Sequence, residues 1–74
     1  MLSSKTTDDL VRIVSFGGGL DFNASGKTQD DLVKIASFAA GKGGRVIMRG
    51  IGHKTANDLV QIASFGKGTV IFAD

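Results

Sequence analysis

Polar and apolar positions along this chain fall into one order that is written three times. Lys5–Phe16 reads KTTDDLVRIVSF, Lys27–Phe38 reads KTQDDLVKIASF, and Lys54–Phe65 reads KTANDLVQIASF. Eight of the twelve positions carry the same residue in all three copies. Repetition at this period marks one supersecondary unit stacked on copies of itself. In the first copy Leu10, Val11, Ile13 and Val14 form one broad helical arc with Phe16 on its flank, while Asp8, Arg12 and Ser15 lie opposite. Leu32, Val33, Ile35, Ala36 and Phe38 repeat the arc, as do Leu59, Val60, Ile62, Ala63 and Phe65. An arc this wide predicts a helix packed against a sheet and against neighbouring helices at once, with the phenylalanines sharing in the packing.

Each predicted helix has a marked start. Thr6 with Asp9, Thr28 with Asp31 and Thr55 with Asp58 stand at capping-box spacing. The threonine oxygen accepts from an orphan backbone N–H, and the carboxylate suits the positive end of the helix dipole. Glycine-rich segments, Gly17–Gly19, Ala39–Gly44 and Gly66–Gly68, are expected to end the helices. A short alternating run follows each. Leu20, Phe22 and Ala24 alternate with Asp21 and Asn23, Val46 and Met48 with Arg45, Ile47 and Arg49, and Val70 and Phe72 with Thr69, Ile71 and Ala73. Period-two runs of this length predict half-buried strands.

The chain therefore reads as αβαβαβ, one α/β domain of three tandem helix–strand units at about residues 3–24, 25–51 and 52–74. Strands joined through a helix are parallel, with right-handed crossovers. The expected architecture is a small three-stranded parallel sheet with all three helices on one face. The other face would carry Asp21, Asn23, Arg45, Ile47, Arg49, Thr69 and Ile71. Parallel sheets are normally covered on both faces, and edge strands invite pairing. Self-association through the open face or an edge strand is the expected consequence, with Ile47 and Ile71 at the centre of the contact. The alternation of helix and strand resembles that of α/β solenoids. The leucine-rich consensus of one such family is missing, so no function comes with the resemblance.

Composition narrows the chemistry. The chain of 74 residues has no Cys, one His and no Glu, which excludes disulfides and thiolate metal sites and disfavours a zinc site. No metal or cofactor is expected. No apolar run reaches membrane-span length, and the segment MLSSKTTDD carries no apolar signal core, so a cytoplasmic protein without a membrane partner is expected. A net charge of +2 permits nucleic-acid binding without demanding it.

Three motifs look like chemistry. Ala24–Thr28, ASGKT, resembles the end of a P-loop, but Asp21 stands where the first glycine belongs, and Lys-Thr recurs before every helix as a cap. Lys5, Lys27 and Lys54, with His53, would line the rim at the carboxyl ends of the strands, where helix N-termini attract anions. Against that, Asp8, Asp9, Asp30, Asp31 and Asp58 occupy the same first turns. The densest basic stretch runs from Lys42 through Arg45 and Arg49 to His53 and Lys54, and these cations suit a phosphate backbone. Ser15, Ser37 and Ser64 are repeat positions, so no nucleophile stands out and no enzyme is expected. Asp8/Arg12 and Asp30/Lys34 are opposite charges at i,i+4, whereas the third copy has Asn57 and Gln61. The joint loss of charge suggests that the outer face of the third helix lies near a partner. The first expectation is thus a non-enzymatic assembly or protein-interaction module that forms a homo-oligomer. The alternative is a nucleic-acid-binding protein using Lys27, Lys42, Arg45, Arg49, His53 and Lys54.

Overall fold

A computed structural model describes residues 6–73. The elements run α1 (Thr7–Ser15), β1 (Leu20–Asn23), α2 (Gln29–Lys42), β2 (Val46–Arg49), α3 (Ala56–Gly66) and β3 (Val70–Ala73). The strands form one parallel sheet in the order β1-β2-β3, with Leu20, Val46 and Val70 in register. α2 packs between α1 and α3. The α/β architecture matches the one expected from the repeat.

Each helix starts where its threonine dictates. Thr6, Thr28 and Thr55 sit in extended backbone at the N-caps, and their Oγ1 atoms accept from the N–H of Asp9, Asp31 and Asp58, each at 3.2 Å. Their carbonyls accept the first helical bonds, from Leu10, Leu32 and Leu59 at 3.1 Å. Replacing such a cap by alanine costs about 1 kcal/mol.

The helix ends differ from the expectation in one place. Ala39–Gly44 was expected as a glycine-rich connection, but α2 continues through Ala39, Ala40 and Gly41 to Lys42. Two alanines are strong helix formers, and the chain turns only at Gly43, which takes the left-handed conformation at φ 72°. α3 ends the same way at Lys67, a non-glycine residue at φ 50°.

The core is apolar among the described residues. Leu10, Val14, Leu32, Ile35, Ala36, Ala39 and Ile62 face Leu20, Phe22, Ala24, Val46, Met48 and Ile51. Strand alternation holds in β1, where Leu20 and Phe22 are buried and Asp21 and Asn23 exposed. It holds in β2 as well, whereas Val70 and Phe72 of β3 are only half-buried. The turn after β2 requires glycine. Gly50 has φ 73°, and a Cβ there would lie 2.6 Å from Asn23 Oδ1, which accepts from Ser25 N–H at 2.9 Å.

Candidate functional site: the open sheet face and its surroundings

The face of the sheet turned away from the helices carries two lateral rows. Asp21, Ile47 and Ile71 are register partners in one, and Asn23, Arg49 and Ala73 in the next. Ile47 is half-buried and Ile71 is 41% exposed, so the two make a small apolar patch across β2 and β3. Beside it Arg49 reaches diagonally to Asp21. Its Nε donates to Oδ1 at 2.6 Å and its Nη2 to Oδ2 at 3.0 Å. This fork holds the Asp21 carboxyl below its usual range and raises the Arg49 guanidinium, in both cases chiefly through the hydrogen bond between them. The pair is solvated, so it contributes little stability. Its larger effect is to engage two of the donors of Arg49 within the chain.

The other basic residues are dispersed. Arg45 is exposed just before β2 and lies about 13 Å along the strand from Arg49, at about 3.3 Å per residue. Lys42 ends α2 at the same edge of the molecule as Arg45. Lys27, His53 and Lys54 sit at the opposite rim, before α2 and α3. Lys27 N–H donates to the Ala24 carbonyl and Lys54 N–H to the Ile51 carbonyl, each at 3.0 Å, so both lysines occupy equivalent turns. Lys5 lies outside the described residues. The six candidate residues thus divide between two ends of the sheet and one position on its open face, rather than forming one patch. Among the described residues no group of three His, Asp, Glu or Cys side chains is placed to hold a metal ion.

Asn57 and Gln61 separate. Asn57 is exposed in the first turn of α3. Gln61 turns toward α2, where its Oε1 accepts from Gln29 Nε2 at 2.8 Å, and the same amide group donates to the Asp58 carbonyl at 3.0 Å. The neutral residue at 61 therefore has a partner within the chain. Charge pairing also departs from the i,i+4 expectation. Lys34 lies 3.6 Å from Asp8 of the neighbouring helix, an exposed contact that bridges α1 and α2.

The phenylalanines of the repeat depart from the expected packing. Phe16, Phe38 and Phe65 were expected to pack, yet they are 90%, 42% and 49% exposed. At about 100° per residue, Phe16 lies some 240° from Leu10, between Arg12 and Ile13 and on the far side of the arc from Val11. The three-fold recurrence of Phe was visible in the sequence, and the angle was the signal that it does not share the buried stripe. Phe65 lines a groove with Ser37, Ala40 and Gly41 of α2 and with Ser64 and Lys67 of its own end.

No protein family, curated protein or solved structure matches this chain. No helix among the described residues is long and apolar enough to cross a membrane.

Proposed function

We propose that this chain is a non-enzymatic assembly module that binds further copies of itself, or a protein partner, through its uncovered sheet surfaces. The observation that carries the reading is a parallel sheet with helices on one face and an apolar pair, Ile47 and Ile71, on the other. A core of this size gains from oligomerisation, because a small domain buries a small share of its apolar surface. Assembly also completes the hydrogen bonding of edge strands β1 and β3. Light scattering on a sizing column tests self-association, with a mass above one chain at high micromolar concentration expected and a sharp monomer overturning it. If the open face is the contact, Ile71→Lys returns the chain to monomer, and Ile47→Asp does the same.

The nucleic-acid alternative has narrower support. Lys42 and Arg45 are exposed, but Arg49 is engaged by Asp21, and Lys27, His53 and Lys54 lie at the far rim. That alternative predicts retention on heparin at low salt with steep loss as salt rises. Flow-through at low salt removes it.

A further inference from the structure

We propose that the two ends of the helix-and-strand layer are the two halves of one interface, and that a second copy of this chain occupies each end. The copies join head to tail, so that α1 and β1 of one copy lie beside α3 and β3 of another. The proposal rests on the reading that the chain self-associates, and it names the surfaces and the partner.

Residues that occupy the same repeat position differ in burial. On the side of each helix that faces the preceding unit, Ile35 and Ile62 are buried, whereas Ile13 is only half-buried. Phe38 and Phe65 are close to half covered, whereas Phe16 stands almost free. The shortfall falls on α1, which has no preceding unit among the described residues. On the opposite side the shortfall falls on α3. Val14 and Ala36 are buried while Ala63 is exposed, and Leu10 and Leu32 are buried while Leu59 is half-buried. Val11 and Val33 are half-buried, but Val60 is 65% exposed. Beneath the helices Phe22 and Met48 are buried, while Phe72 of β3 is half-buried. The helical angles agree: relative to Leu10, Val11 lies at about 100° on one flank and Ile13 at about 300° on the other.

What covers these positions inside the chain identifies the occupant. α2, bearing Ile35 and Phe38, packs beside α1, and α3, bearing Ile62 and Phe65, packs beside α2. α1 carries the same face with Ile13 and Phe16, and α3 carries the receiving face with Val60 and Ala63. The groove that partly covers Phe65 is made by Ser37, Ala40 and Gly41 of α2, and α3 offers Ser64 and Lys67 at two of the same repeat positions.

The strands fit the same junction. Val46 N–H donates to the Thr69 carbonyl and Leu20 N–H to the Arg45 carbonyl, each at 2.8 Å. In an extended strand the N–H and C=O of one residue point to the same side, and the side alternates along the chain. Those bonds therefore leave the Val70 and Phe72 groups pointing off β3, and the Gly19, Asp21 and Asn23 groups pointing off β1. These are the complementary halves of a parallel ladder in which Val70 meets Leu20 of the next copy. Charge does not oppose the contact. The Asp8–Lys34 pair between α1 and α2 becomes Asn57 beside Arg12 of the next copy. Ala56 replaces Gln29, whose amide bonds α3, so the junction lacks the amide contact that joins α2 to α3. A head-to-tail contact of this kind closes into a ring or runs on as a filament.

Val60→Arg blocks one half of the interface and Phe16→Lys the other, and both residues are exposed, so the fold survives each change. Each variant alone is expected to be monomeric under conditions where the unmodified chain assembles. Mixed in equal amounts they are expected to form a species of twice the monomer mass and nothing larger, because one intact half remains on each. Circular dichroism verifies that both are folded. An assembly that survives both substitutions, or a mixture that stays monomeric, overturns the head-to-tail geometry. If Ile71→Lys alone dissociates that assembly, self-association through the open face stands without it. An unmodified chain that is monomeric throughout overturns both.

Discussion

α2 and α3 are built from nearly the same words, QDDLVKIASF and ANDLVQIASF, yet they are buried differently. In α2, Leu32, Ile35, Ala36 and Ala39 are fully enclosed. In α3 only Ile62 and Gly66 are, while Val60, Ala63 and Phe65 face outward. Among the described residues α2 has a helix on each side and α3 has one. The difference teaches that burial in a repeat stack belongs to the place in the stack. A residue type states what a position tolerates, and its neighbours decide whether water is removed from it.

The comparison can be tested by making the same change in both helices and following urea unfolding of the dilute monomer by circular dichroism, since the chain has neither Trp nor Tyr. The largest difference is expected for leucine truncation. Leu32→Ala should cost about 3 kcal/mol, as for a fully buried side chain that leaves a cavity, and Leu59→Ala about half of that. Equal losses would show that the two helices are equally enclosed.

Enlargement comes next. Ala36→Leu forces extra methylenes into a filled core and should cost about 1–3 kcal/mol. Ala63→Leu on the exposed face should change stability by less than about 0.5 kcal/mol. Ala63→Leu as harmful as Ala36→Leu would place a cover over α3 within the monomer.

The helix ends offer a smaller contrast of opposite sign. α2 turns at Gly43 and α3 at Lys67, both in left-handed backbone. Gly43→Ala should destabilise by about 1 kcal/mol, whereas Lys67→Gly should stabilise by about 0.5–1 kcal/mol by removing the Cβ penalty. A neutral Lys67→Gly would mean that the lysine side chain offsets its own strain.

The smallest effect is electrostatic and belongs to the open face. Asp21 has a lowered pKa in the folded chain because Arg49 forks onto it. A lowered pKa adds stability above the unfolded value, near pH 4, and that stability fades as the pH falls through the folded value. Asp21→Asn should therefore lower stability slightly in the neutral region, leave the strongly acid end close to unchanged, and so flatten the acid limb of the stability profile. An unaltered acid limb would show that the fork does not persist in solution.

Much of the fold was legible because its signals are local. Thr6, Thr28 and Thr55 announce the helix starts through their own reach to the backbone. Alternation in Leu20–Asn23 and Val46–Arg49 announces the strands and assigns Asp21, Ile47 and Arg49 to the open face. The extra turn of α2 was harder, since Gly41 and Gly43 look alike in sequence and only one of them takes a positive φ. Of the candidate site, the row of Asp21, Ile47 and Ile71 follows from register once the strands are placed. The Arg49–Asp21 fork, the bridge from Lys34 to Asp8 and the turning of Gln61 toward Gln29 do not. Each joins side chains from different units, and no sequence spacing encodes those distances.

The sequence by itself determined the unit: a capped helix, a glycine turn and an alternating strand, three times over, with apolar residues on one helical arc. Local hydrogen bonding and backbone sterics act within a few residues, so they are written there. Tertiary structure alone decided which of the repeated residues lose contact with water. Ile35 and Ile13 are the same residue in the same motif, and only the presence of a helix alongside separates them. Burial is a property of the solvent excluded by neighbours, so identical words with a helix on one side only keep an apolar face uncovered, and the head-to-tail contact proposed for this protein uses that face.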